Sequence, residues 1–190
     1  MTEHILALDI GGTKIAAGIV DADGTLVSRE QQPTPDGTDP EAIFAVVADL
    51  ISRQRTKTQI AGVGIASAGP VDLPNGTVSP INIVAWRGFP LLQRVSAEVP
   101  GVPVRLGGDG VCMALGEHWR GAGQGARFML GMVISTGIGG GLVLDGKPYV
   151  GRTGNAGHVG HVVVDINGPR CPCGGRGCAE VIASGPHITA

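Results

Sequence analysis

Between positions 154 and 180 the chain reads GNAGHVGHVVVDINGPRCPCGGRGCAE. His158 and His161 stand three apart, Cys171, Cys173 and Cys178 follow the pattern C-x-C-x4-C, and Glu180 comes two places after the last cysteine. Glycine and proline around the cysteines let the chain double back. Three thiolates and the His161 imidazole, ten residues upstream, would then close a tetrahedral shell of the structural zinc type. The competing reading is a set of buried or disulfide-bonded cysteines. Cys171 and Cys173 are too close in sequence for an easy bridge, and one pair would leave an odd thiol in the cluster. Zn²⁺ is therefore the expected occupant, stapling a loop that has too few apolar residues to hold itself.

The rest of the chain has the material for a core: 190 residues, of which 43% are hydrophobic, suit one ordinary domain or two small ones. A formal charge of −2 without a basic run argues against a nucleic-acid surface. The N-terminal MTEHILALDI carries an acid and no long apolar stretch, so neither a signal peptide nor a membrane span is expected. Cysteines gathered as metal ligands fit a reducing compartment, and the expected location is cytoplasmic. The 33 glycines fall in short loops after apolar runs, which suggests backbone brought close to ligands.

An apolar run over residues 4–10, containing Asp9, leads into Gly11, Gly12, Thr13 and Lys14, and residues 15–20 are apolar again. A turn at residues 21–24 precedes a third strand over 25–30, so the pattern is a glycine hairpin within a meander. Gly11 and Gly12 would let backbone N–H groups approach phosphate oxygens. Thr13 adds a hydroxyl, Lys14 a cation and Asp9 a carboxylate able to hold Mg²⁺ through water. A plain tight hairpin with surface charges explains the same residues. A polar loop over 33–40 leads to a helix at 40–53, capped by Asp39 or a neighbour, with Ile43, Val46, Val47, Leu50 and Ile51 on one face. A buried strand at 60–66 runs into Gly69. Asn82 follows in a second loop, and both residues suit either a sugar contact or turn chemistry. A short helix at 89–98 and a strand at 102–106 come next. Asp109 then sits where that strand gives way to a helix at 111–120, the usual ligand crevice of α/β sheets, although an Asp there is also a favoured N-cap. After a glycine hinge at 121–125, the apolar strand 127–135 ends in Thr136, Gly137, Ile138, Gly139, Gly140 and Gly141, and a strand resumes at 142–144. The strand–glycine turn–strand pattern thus occurs twice, and two such turns could grip a triphosphate from both sides.

LDIGGTK, SAGPVD, the Gly-Asp-Gly helix start, STGIGGG, GNAGHVGH and CPCGGRGCAE, in that order, resemble the ROK family of bacterial sugar kinases and sugar-responsive repressors. The resemblance covers essentially the whole chain. It implies an α/β, actin/hexokinase-like (ribonuclease H-like) two-lobed ATPase fold, with sugar and ATP between the lobes. Residues 1–120 would form the smaller N-terminal lobe and residues 121–190 part of the C-terminal one. It implies that Asp9, Gly11, Gly12, Thr13 and Lys14 form the first phosphate loop with Mg²⁺, and Thr136, Gly137 and Gly139 the second. Asp109 would be the general base that takes the sugar hydroxyl proton. Gly69, Asn82, His158, His161 and Glu180 would join Asp109 around the sugar, His161 serving zinc with its other ring nitrogen. A glucokinase-like or N-acetylmannosamine-kinase-like enzyme, a homodimer, is the family expectation.

The chain departs from the family pattern at Gly108 and Val111, where asparagines are usual on either side of the catalytic Asp, and at His158, where Glu is usual. Each lost amide removes a hydrogen bond worth roughly 0.5–1.5 kcal/mol. Family chains also continue well past residue 190, so the second lobe is expected to be incomplete, with apolar strand faces uncovered. Beside the kinase stand two other readings. One is a non-catalytic sugar binder, suggested by Gly108 and Val111. The other is a repressor, which would need a helix-turn-helix domain ahead of Asp9.

Overall fold

The computed structural model describes residues 3–189; the first two residues of the N-terminal segment read for a leader lie outside them. The chain divides into two compact units, 1–109 and 110–190.

In the first unit β1 (His4–Ile10), β2 (Lys14–Asp21) and β3 (Leu26–Pro33) form an antiparallel meander. β1 buries Leu6, Leu8 and Ile10, every second residue, as the strand period dictates. The turn into β3 is held by Asp21, whose Oδ1 accepts the Asp23 and Thr25 amides at 2.9 and 2.8 Å. β3 runs past the expected end at residue 30, because Gln31 and Gln32 go on pairing with β2. As the edge of the sheet it tolerates polar side chains and a terminal Pro33.

Asp39 caps α1 (Pro40–Arg55), its Oδ1 accepting the Glu41 amide at 2.9 Å. The helix buries Ile43, Phe44, Val47, Leu50 and Ile51, each worth about 1.5–3 kcal/mol. It packs on β2 and β3. Its fully buried Gln54 is satisfied by Ser28 and Glu30 of β3. β4 (Gly62–Ser67) lies parallel to β1, and a two-stranded hairpin, β5 (Val71–Asp72) and β6 (Thr77–Val78), follows. α2 (Leu91–Glu98) then leads to β7 (Val104–Gly108), parallel to β4. The sheet order is β3-β2-β1-β4-β7. Between β6 and α2, Trp86 is fully buried, stacked on Phe89 at 4.3 Å, and its indole N–H donates to the Pro40 carbonyl at 3.2 Å. Arg94 of α2 lies 4.2 Å over the Phe44 ring and grips both Glu41 oxygens, at 2.7 and 2.6 Å.

The second unit holds a three-stranded antiparallel sheet of order β10-β9-β8: β8 (Phe128–Ile134), β9 (Ile138–Leu144) and β10 (Lys147–Tyr149). Asp145 and Gly146, at φ 47° and 75°, make the tight turn that the Asp-Gly pair predicts. α3 (Asp109–Arg120) lies on the sheet, and its first residue is the last of the first unit. β9 begins at Ile138, not at residue 142 as expected: Gly139, Gly140 and Gly141 pair with Val133, Met132 and Gly131. These glycines belong to a close packing contact. A Cβ on Gly141 would stand 2.6 Å from both Gly110 O and Val111 Cα, and one on Gly110 2.5 Å from Gly140 O. Beyond β10 come a 3-10 turn (Val159–His161), α4 (Glu180–Ala183) and α5 (Gly185–Ile188).

Burial in this unit is sparse. Val111, Ala114, Ile138 and Val143 are buried, whereas Phe128 is 68%, Met132 51% and Ile134 54% exposed, and Val162, Val163, Val164 and Ile166 are exposed as well. The apolar faces expected to be uncovered are uncovered. Among the described residues no helix is long and apolar enough to cross a membrane.

Candidate phosphate, sugar and metal sites

Parallel pairing fixes where the first set of candidate residues meets. β1, β4 and β7 run the same way, with Ile10 beside Ser67 and Ser67 beside Gly108. Their carboxyl ends therefore present Asp9, Gly11 and Gly12, then Gly69, then Asp109, along one edge of the sheet, where α/β proteins place ligands. The Asp9 and Asp109 side chains are exposed there. Asp109 opens α3 as its first residue instead of preceding it as a cap. The first glycine loop closes with the Gly11 amide donating to Lys14 O at 3.0 Å. Thr34, which belongs to no motif, holds the loop from outside. Its hydroxyl donates to Gly11 O at 2.7 Å and its amide to Thr13 O at 3.0 Å. Thr13 and Lys14 are exposed at the tip. Asn82 comes against this loop: a Cβ on Gly12 would lie 2.5 Å from Asn82 Cγ. Gly12 is thus required by close approach, and Asn82 joins the first glycine loop in space. The Gly69–Pro70 peptide is cis.

The remaining candidates lie in the second unit. Thr136 and Gly137 form the turn between β8 and β9, closed by the Ser135 amide donating to Gly137 O at 2.8 Å. Gly139 is inside β9, beyond that turn. Glu180 reaches the same turn: its Oε2 accepts the Ile138 amide at 2.8 Å. No pattern in the sequence links these two residues, because one partner is a backbone group. His158 ends the loop before the 3-10 turn. Gly160 presses that turn onto β9, where a Cβ would stand 2.1 Å from Ile138 O.

His161, Cys171, Cys173 and Cys178 place their four ligand atoms within 4.8 Å of one another. Cys171 Sγ lies 3.7 Å from His161 Nδ1, and Cys173 Sγ 3.7 Å from Cys178 Sγ. Tetrahedral Zn²⁺ with ordinary bond lengths puts sulfur pairs about 3.8 Å and sulfur–nitrogen pairs about 3.6 Å apart, so the tetrad fits that ion. His161 faces the cluster with Nδ1, which leaves Nε2 for another partner. The cysteine loop doubles back through the Cys171 amide to Gly175 O and the Gly174 amide to Cys171 O, both 3.0 Å. At Gly177, with φ 63°, a Cβ would lie 1.5 Å from Asp165 O. Burial pushes the Cys178 thiol up to about 12, with Cys171 and Cys173 adding to the rise. The Gly175 backbone, then Cys171, lowers that of Cys173. A cation at the centre would reverse the burial penalty and hold all three as thiolates.

The fold and these sites define a class of protein. The ROK family model matches residues 5–190. The glucokinase of Streptomyces coelicolor is 40% identical over 180 residues, covering 95% of this chain and 56% of the relative. The N-acetylmannosamine kinase of Citrobacter koseri is 38% identical over 188 residues, covering 97% and 63%. Among solved structures, the ROK family glucokinase of Streptomyces griseus in complex with glucose and AMPPNP superposes with a TM-score of 0.85 at 37% identity, over 97% of this chain and 58% of that one. This chain belongs to the ROK family, and its α/β fold is the actin/hexokinase-like fold of the ROK hexokinases. It spans about three-fifths of the length of these relatives.

Proposed function

We propose that the chain carries the phosphate-loop and sugar-binding parts of an ATP-dependent kinase for a hexose or N-acyl-hexosamine. The observation that carries this reading is the convergence of Asp9, the Gly11–Gly12 loop, Gly69 and Asp109 on the carboxyl edge of three parallel strands. Asp109 is the general base, taking the proton of the attacking sugar hydroxyl as that oxygen bonds to the γ-phosphorus of ATP and the bond from this phosphorus to the β–γ bridging oxygen breaks, releasing ADP. Gly11, Gly12, Thr13 and Lys14 hold phosphate oxygens, and Thr136, Gly137 and Gly139 are the further phosphate contacts. Mg²⁺, held through Asp9, supplies neutralisation of phosphate charge, and positioning does most of the remaining work. Gly69, Asn82, His158, His161 Nε2 and Glu180 bind sugar hydroxyls, while Zn²⁺ on His161, Cys171, Cys173 and Cys178 keeps that segment folded. A cytoplasmic homodimer completes the proposal.

The test is ADP release from ATP and Mg²⁺ with glucose, mannose, N-acetylmannosamine and N-acetylglucosamine, beside Asp109→Asn. Turnover with one sugar, abolished by the substitution, is expected; turnover that survives Asp109→Asn would refute the assigned base.

A second reading, sugar binding without transfer, is favoured by Val111. Where relatives of this family are expected to carry an amide, this side chain is buried and its Cα belongs to the contact with Gly141. It predicts calorimetrically detectable sugar binding with no ADP release.

A further inference from the structure

The turn 135–137 has little of its own to hold it, since Ser135 and Thr136 are exposed and the third residue is glycine. Three contacts from the chain around the metal cluster surround it. Glu180 Oε2 accepts the Ile138 amide at 2.8 Å, the Gly185 amide donates to Ser135 O at 2.8 Å, and Gly160 abuts Ile138 O. Side chains are excluded at these approaches: a Cβ on Gly137 would stand 2.4 Å from Glu180 Oε2, and one on Gly185 2.7 Å from Ser135 O. Glu180 is in turn tied to the cluster. It follows Cys178 by two residues, Cys178 forms a β-bridge with Val163, and the Ala179 amide donates to Val162 O at 2.9 Å. The exposed Val162, Val163, Val164 and Ile166 provide little apolar burial to order this segment, so its order rests on the four ligands.

We infer that Glu180, beside the sugar contact proposed for it above, is a positioning residue: through Oε2 on the Ile138 amide it transmits the order of the His161–Cys171–Cys173–Cys178 cluster to the turn at Thr136 and Gly137. With Zn²⁺ bound, the carboxylate is anchored and the turn is held ready. Without it, the anchor and the turn loosen together, and by linkage whatever orders the turn also tightens metal binding. The value of this for phosphate binding rests on the kinase reading, but the coupling itself does not. A carboxylate beside a phosphate site is costly unless its charge is occupied, and the Ile138 N–H occupies it.

The experiment is amide hydrogen exchange over residues 132–140 in the zinc-loaded protein without sugar or nucleotide, for the wild type, Glu180→Ala and Glu180→Gln. A second arm treats the zinc-loaded wild type with chelator. Glu180→Ala should speed exchange at Ile138 about tenfold or more, the loss of one charge-assisted bond. Glu180→Gln, which keeps an acceptor oxygen, should restore most of the protection. Chelation should give the same loss at Ile138, together with loss over 171–178, while α1 and β1 keep theirs. Unchanged exchange at Ile138 in Glu180→Ala, or after chelation, would overturn the inference. Should Glu180→Ala unfold the whole second unit, the chelation arm decides alone. A protein that shows this coupling but never turns over sugar would sink the kinase reading and leave the inference standing.

Discussion

Gly141 is the position where the second unit can be tested most directly. A methyl group there would stand 2.6 Å from Gly110 O and Val111 Cα, whereas unstrained heavy-atom contacts fall near 3.5–4.0 Å. Both neighbours are backbone, so no rotamer change relieves them, and α3 must lift from β9 by about 1 Å. Overpacking of this kind costs about 1–3 kcal/mol. Replacing a strand glycine with alanine returns about 0.5–1 kcal/mol, which leaves Gly141→Ala up to about 2.5 kcal/mol, centrally about 1 kcal/mol, less stable than the wild type. Gly116 supplies the matched control: it is exposed on the same helix, and nothing lies within 4 Å of its added Cβ. Gly116→Ala should gain about 0.8–1 kcal/mol from helix propensity. Urea unfolding followed through Trp119, also on α3, in a Trp86→Phe background would read both variants on one element. The two midpoints should move to opposite sides of the wild type with similar slopes. Gly141→Ala unfolding at or above the wild-type midpoint would refute the backbone contact between α3 and β9.

The purified protein should carry one zinc per chain by atomic absorption, lost in Cys178→Ser. Chelation should expose residues 161–178 to protease while leaving the first unit intact. Gly108→Asn should fold normally, because no atom lies within 4 Å of a Cβ there. It should also tighten sugar binding by about 2–13-fold, one hydrogen bond's worth, in calorimetric titration. Arg94 holds the Glu41 carboxyl below its ordinary range, by hydrogen bond first and charge second. The stability this pair contributes is therefore present above the ordinary carboxylate value and disappears as pH falls through the lowered one. The difference in urea midpoint between wild type and Glu41→Gln should accordingly be present near pH 7 and close as the pH falls below the ordinary carboxylate range. It should also shrink in high salt, since Glu41 is exposed.

What could be read in advance was whatever the chain writes locally. The metal tetrad was legible because three of its four ligands fall within eight residues and ligand chemistry allows few alternatives. The β1–β2 hairpin, the Asp39 cap and the Asp145–Gly146 turn were legible because each is decided by neighbouring residues. The sheet order was not, since pairing Ser67 with Gly108 joins residues far apart in sequence. Apolar periodicity also fails where glycine stands in the strand, which is why β9 reads as a loop up to residue 142. β8 is legible as an apolar strand, but composition alone cannot say what covers its face. The link from Glu180 to Ile138 was invisible for a simpler reason, that a backbone amide leaves no mark in a sequence.

The chain has two tryptophans, and they fall one in each unit. Trp86 is sealed from water against Phe89, whereas Trp119 is 50% exposed. Their emission should differ accordingly, blue and weakly quenched by iodide for the first, red and readily quenched for the second. Trp86 lies four residues after Asn82, so a Trp119→Phe protein would report optically on the loop that borders the first glycine turn. Trp86→Phe would leave a reporter of α3 alone. The two single-tryptophan proteins can thus follow the two halves of the chain separately, with no label added.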